Sequence, residues 1–243
     1  MTTHARAAGL MLASTVLFGL MAVTIRLASH TLHAFEIAFF RNVFGLLAAL
    51  PLLARHGPGF LRTTQWPRYG LRCVIGVVSM FCGFWAIARL PLAQAVSLSY
   101  STPIFVTIAA VLLLGEQVRA RRWAAVVVGF IGVLVIVRPG TQAFSTGTLV
   151  ALAAAVLSGI VAIQIKQLSD TEPADRIVIY TTALWVPLSL GPALLVWEWP
   201  QGWAWVWVAA AGALGTGGHM LWTRALKLGD VSALTPISFM QLP

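Results

Sequence analysis

The chain has 243 residues, 59% hydrophobic and only 9% charged, with a mean hydropathy of +0.87. A soluble domain carries about 25% charge and 45–50% apolar residues, so a water-soluble globule is excluded. The same composition excludes intrinsic disorder, and two cysteines exclude a disulfide scaffold. The net charge of +9 and pI of about 11.1 would suggest nucleic acid in a soluble chain. In a membrane protein the first question is which loops hold the basic residues.

A crossing needs about 20 mostly apolar residues, and eight segments qualify: residues 8–28, 34–54, 70–89, 92–114, 122–137, 147–168, 177–197 and 203–225. They are sustained apolar runs without strict alternation, so helices fit and a β-barrel does not. A ninth apolar segment opens at Val231 and stops at Pro243, which reads as a helix cut short. With the N-terminus in the cytoplasm, the inner segments hold Arg6, Arg55, Arg62, Arg68, Arg72, Arg119, Arg121, Arg122, Lys166, Arg176, Arg224 and Lys227. The outer ones hold only Arg26, Arg89 and Arg138. That asymmetry fixes the orientation and makes the charge a topology signal, with no nucleic-acid partner implied. The cluster Trp197, Trp199, Trp203, Trp205 and Trp207 falls at an outer boundary and reads as interfacial anchoring. The first segment has no small-x-small cleavage site and reads as a retained span rather than a signal peptide. Cys73 and Cys82 lie about 13 Å apart along one helix and cannot pair, and no metal-ligand spacing is present.

Shifted by 140 residues, Leu12 to Ser29 lies over Leu152 to Ser169 without a gap. Leu12/Leu152, Ala13/Ala153, Val16/Val156, Leu17/Leu157, Gly19/Gly159, Ala22/Ala162, Ile25/Ile165 and Ser29/Ser169 are identical, and Arg26 faces Lys166. Near the third span the offset becomes 138, pairing Arg89 with Lys227 and Leu90 with Leu228. Five spans per repeat is an odd number, so residues 141–243 are expected to cross the membrane inverted relative to residues 1–140. On this reading the second repeat is incomplete, lacking the rest of helix nine and helix ten.

The stretch Pro103 to Gly140, with a fourth span ending in Gly115-Glu116, a basic turn and a glycine-rich fifth span closing on Arg138-Pro139-Gly140, resembles the drug/metabolite transporter superfamily of the EamA type. Phe35 to Asn42 resembles the start of that family's second span. The resemblance implies an all-α polytopic membrane fold of five plus five inverted helices. It also implies a central cavity and alternating-access transport of small organic solutes across the inner membrane.

Arg41 stands out, because an arginine near a helix centre costs about 2.5–3.5 kcal/mol on insertion scales. Its repeat counterpart is Thr181, so the scaffold does not need a charge there. This favours substrate binding or coupling over a purely structural arginine. Glu36 points about 140° away on an ideal helix and reads as an interfacial charge, with proton coupling as the alternative. Gln94, Ser97 and Ser101, with Tyr100 beside them, share one face of the fourth span next to Pro103 and read as cavity lining. Interhelical hydrogen bonding is the competing reading. Gly212, Gly215, Gly217 and Gly218 read as close helix packing. His219 and Trp222, three residues apart, and Gln164 on the sixth span are further substrate-contact candidates, for an aromatic or cationic solute in the case of His219 and Trp222. Glu116 is read as a structural or gating residue paired with Arg119, Arg121 or Arg122. The function expected is a secondary transporter needing no cofactor. An intramembrane enzyme using Ser158 and His219, or a lipid flippase or channel on the same scaffold, are the alternatives.

Overall fold

The computed structural model describes residues 3–56, 60, 62–99, 101–115, 120–137, 145–228 and 234. Among the described residues there are nine helices and no strand: α1 Thr3–Ala28, α2 Ala34–His56, α3 Trp66–Arg89, α4 Leu92–Ser99, α5 Thr102–Leu114, α6 Ala120–Val137, α7 Thr146–Ser169, α8 Ala174–Leu194 and α9 Ala204–Leu228. Six stretches are long and apolar enough to cross a bilayer: Ala5–Ala28, Ala34–Ala54, Trp66–Arg89, Leu92–Leu114, Thr146–Ser169 and Ala174–Leu194. The protein is therefore an all-α, multi-span membrane protein. The segment from Val231 onward lies outside the described residues apart from Leu234.

The expected fourth span, 92–114, consists of two helices, which corrects the continuous polar face read from the sequence. Leu98 ends the first helix by accepting from both the Ser101 N–H at 3.0 Å and the Ser101 hydroxyl at 2.7 Å. A serine side chain that bonds nearby backbone competes with the helical ladder, and Pro103 brings no N–H of its own. The Ser101 carbonyl then opens α5 by accepting from Ile104 and Phe105. Gln94 and Ser97 thus belong to α4 and Ser101 precedes α5, so the three do not share one helical face. At the far end of α5, Gly115 takes the left-handed conformation (φ 66°) and its N–H returns to the Ala110 carbonyl. Such a cap suits glycine, which has no Cβ to clash.

Small residues set the closest crossings. A Cβ on Gly212 of α9 would sit 2.7 Å from the Arg41 carbonyl and 2.7 Å from the Gly45 nitrogen, so α2 and α9 meet backbone to backbone there. The Thr216 hydroxyl donates to the Gly45 carbonyl at 3.1 Å across the same crossing. Gly159 of α7 plays the same part against Phe105 and Val106 of α5, where a Cβ would lie 3.0–3.1 Å from their atoms. Beyond these crossings, α1 packs chiefly on α9 and α7 chiefly on α3, while α2 lies against both α8 and α9. The outer face of α6 is left uncovered by protein at Val127, Val128, Ile131, Leu134 and Val135, apolar side chains suited to lipid.

Basic side chains at the helix ends meet acceptors. Arg26 donates to the carbonyls of Ile87, Ala88 and Leu90 at the end of α3, at 2.7, 3.1 and 3.3 Å. Lys166 donates to the Leu226 carbonyl of α9 at 3.3 Å. Arg176 bonds Glu172 at 2.5 Å and the Phe60 carbonyl at 2.7 Å, and Glu172 also accepts from Thr63. Arg224 of α9 reaches Asp175 of α8 through Nε at 3.0 Å and Nη2 at 2.7 Å. Trp197, Trp199 and Trp205 pack around Phe40 at the start of α2, with Trp199 and Trp203 left exposed at the protein surface.

Candidate functional site

Helices α1, α2, α3, α4, α5, α7, α8 and α9 enclose a cavity of about 340 Å³, within the size range of small-molecule sites. Its walls are apolar and aromatic, carrying Phe18, Phe84, Trp185 and Trp222, with the hydroxyls of Ser14, Ser79, Ser99, Thr102 and Ser158 as polar points. Among the described lining residues there is no carboxylate, and Arg41 supplies the charge.

Arg41 is 4% exposed and rises from α2 into this wall. Its guanidinium lies 5.5 Å from the ring centroid of Trp185 and 6.0 Å from that of Phe84, close enough for cation–π attraction. Nη1 donates to Oδ1 of Asn42 at 2.8 Å and contacts the Met80 sulfur at 3.4 Å. Asn42 is itself held on α8, donating to the Ser189 hydroxyl at 3.1 Å and the Trp185 carbonyl at 3.4 Å. Gly215 makes room for the group: a Cβ there would fall 2.5 Å from Nη2 and 2.9 Å from Nε. Nε is buried and has no hydrogen-bond partner.

A second buried cation stands behind the first. Arg72 was assigned from sequence to a cytoplasmic segment, but it is 1% exposed, and its Nη1 donates to the Thr181 hydroxyl of α8. It lies 5.8 Å from the ring of Trp185, which therefore receives both guanidiniums, while the Trp185 indole N–H donates to the Cys73 carbonyl at 3.1 Å. A satellite space of about 10 Å³ joins Arg41, Arg72, Thr181, Trp185, Thr216 and His219. The sequence signal was present, since an arginine six residues into an apolar helix is expensive unless partnered. Its nearness to the span boundary made it look like a loop charge.

His219 and Trp222 both line the main cavity, as does Pro103. The His219 ring is packed edge-on against Phe18 at 5.1 Å and Trp185 at 5.5 Å, and its Nδ1 has no partner. Gln94, Ser97, Ser101 and Gln164 lie outside the cavity wall. Ser101 is turned back on Leu98, and the Gln164 side-chain oxygen is buried without a partner. Tyr100 and Glu116 fall outside the described residues. Glu36, 1% exposed, sits at the mouth of α2 away from the cavity. It accepts from the His33 N–H at 2.9 Å and from the backbone N–H of Glu198, the reach-back arrangement that caps a helix start. The Ser158 hydroxyl is bonded to that of Ser79 at 2.8 Å, and His219 is surrounded by rings, so the described residues do not form a Ser–His dyad.

Phe18, Ser79 and Trp185 were not singled out from the sequence. An aromatic or a serine inside an apolar helix carries no mark that tells a cavity wall from a core.

Multiple apolar helices around an internal solute-sized space define a polytopic membrane protein with an internal chamber. The chain belongs to the EamA-like transporter family, which matches residues 5–138 and 145–242. It is 29% identical over 211 residues to an S-adenosylmethionine uptake transporter of Rickettsia felis, covering 87% of this chain and 72% of the relative. A riboflavin transporter of Vibrio cholerae is 27% identical over 232 residues, covering 95% of this chain and 74% of the relative. The pseudopaline exporter CntI of Pseudomonas aeruginosa is 36% identical over 169 residues, 69% of this chain and 59% of that protein. A solved crystal structure superposes with a TM-score of 0.76 at 21% identity, covering 97% of this chain and 84% of the other, which establishes the likeness of fold.

Proposed function

We propose that this protein is a secondary transporter of small organic solutes, working by alternating access between residues 1–140 and 141–243 as inverted units. It lies in the inner membrane with its N-terminus in the cytoplasm. The observation that carries the reading is the chamber itself: helices of both units line it, and the buried Arg41 forms part of its wall. Relatives named as transporters of S-adenosylmethionine, riboflavin and pseudopaline support a small organic cargo.

Matching bonds support the two-unit division. At an offset of 140 Arg26 corresponds to Lys166, and at 138 Ala88 corresponds to Leu226; Arg26 bonds the Ala88 carbonyl as Lys166 bonds that of Leu226. Ser29 and Ser169 each donate to the carbonyl three residues back, at 2.8 and 2.7 Å, and Thr31 and Thr171 do likewise at 3.4 and 3.3 Å. The unit's first helix thus docks in each case on the end of the other helix in an equivalent manner, α1 on α3 and α7 on α9.

The test is uptake into liposomes reconstituted with the protein, using radiolabelled S-adenosylmethionine and riboflavin. Saturable uptake or exchange of either is expected, falling by about tenfold or more in Arg41→Ala at equal membrane insertion, the loss of one buried charged contact. Passive conductance without saturation, or transport unchanged in the variant, would overturn the proposal. An imposed pH gradient across the same liposomes tests proton coupling. We give Glu36 no part in it, because both of its oxygens serve backbone N–H groups.

A further inference from the structure

Two pairs of helices line the chamber with little direct contact between their members: α1 with α3, and α7 with α9. Each pair is joined at its ends by a basic side chain. Arg26, in the last turn of α1, donates through Nη1 to the Ile87, Ala88 and Leu90 carbonyls at the end of α3, at 2.7, 3.1 and 3.3 Å. Lys166, in the last turn of α7, donates to the Leu226 carbonyl near the end of α9 at 3.3 Å. The final carbonyls of a helix lack partners within it and carry the negative end of its dipole, so they hold a cation without any carboxylate. Ile87 and Leu226, whose carbonyls are held, themselves line the chamber. By the order of the spans, α1 and α3 end at one membrane face and α7 and α9 at the other, outer and inner in the orientation proposed above.

We propose that Arg26 and Lys166 are the outer and inner gate residues of the transport cycle, positioning groups whose release opens the chamber to one face at a time. This rests on the alternating-access reading and assigns it residues. Because α1 packs chiefly on α9 and α7 chiefly on α3, each cation ties one packed pair to the other. Tilting the pairs apart at one face parts one latch and leaves both packed pairs whole. A solute lying against Ile87 or Leu226 touches the residue that a latch holds, which connects occupancy of the chamber to release. The latches are unequal. A guanidinium that meets three carbonyls holds more firmly than an ammonium that meets one and shares its charge with Asp170 at 3.9 Å. The inner latch therefore parts first, and the resting chamber communicates with the cytoplasm.

The test reads access apart from transport. Both native cysteines are replaced, by Cys73→Ala and Cys82→Ala, and Ser158→Cys places one thiol in the chamber wall. The full chain is then treated with membrane-impermeant sulfonatoethyl methanethiosulfonate in right-side-out and in inside-out membrane vesicles. Labelling is expected to be faster from the inner face. Arg26→Gln is expected to raise the outer rate about tenfold, the weight of one charge-assisted hydrogen bond, and Lys166→Gln to raise the inner rate by less. Exchanging the cations, Arg26→Lys together with Lys166→Arg, keeps both charges and is expected to reverse the preference between faces. A side chain that only stabilised the fold would move both faces alike, so a rise at both faces from either variant overturns the inference, as do unchanged rates. Labelling of the chain with neither cation altered that is as fast or faster from the outer face also overturns it, and this outcome needs no gate variant to fold. Saturable uptake with access unmoved by either variant would sink the latches and leave the carrier reading standing. Access shifted at opposite faces in a protein that carries no solute would do the reverse.

Discussion

The basic residues at the helix ends and those in the interior live under different rules. Arg26, Lys166, Arg176 and Arg224 each close on carbonyls or carboxylates, so their charge is consumed by the scaffold. Arg41 and Arg72 are more deeply buried, yet they face rings, hydroxyls and an amide. The difference teaches what holds a charge at a helix end and what holds one in the interior. A cation closed on carbonyls or carboxylates ties helix ends together, whereas Arg41 and Arg72 are held by rings and neutral polar groups.

Four substitutions probe that contrast. Glu172→Ala removes a buried carboxylate serving both Arg176 and Thr63, and should cost about 3 kcal/mol in a detergent melt, while any ligand bound in the chamber keeps its affinity. Altered chamber affinity in folded Glu172→Ala protein would erase the division between ends and interior. Thr181→Val strips Arg72 of its hydroxyl acceptor, with an expected loss of about 2 kcal/mol in the same melt. Gly212→Ala sets a methyl against the Arg41 carbonyl and should destabilise by about 1–2 kcal/mol, shifting α2 and with it the guanidinium. Smallest of all, Arg224→Gln breaks an ion pair whose arginine side chain is 42% exposed, and a melt should register about 0.5 kcal/mol or less.

Six of the eight expected spans were legible because sustained apolar runs of about 20 residues have one structural outcome in a bilayer. Arg41 was legible for the complementary reason, that a charge in mid-span is conspicuous. The burial of Arg72 is hidden by position: six residues from the start of α3 it passes for a boundary charge until Thr181 of another helix is seen to receive it. Gln94, Ser97 and Ser101 were placed on one face by assuming an unbroken helix, an assumption that the turn at Ser101 defeats. Trp185 escaped notice because its role depends on two arginines 144 and 113 residues earlier in the chain, and no local pattern encodes such a meeting.

The crossing of α2 and α9 at Gly45 and Gly212 also limits how such a protein can be re-tuned. At Gly212 main chain meets main chain, so an added side chain displaces backbone, and with it the arginine on the facing turn. Side-chain changes that leave this crossing intact fall at chamber-wall positions such as Phe18, Ser158 and Trp222.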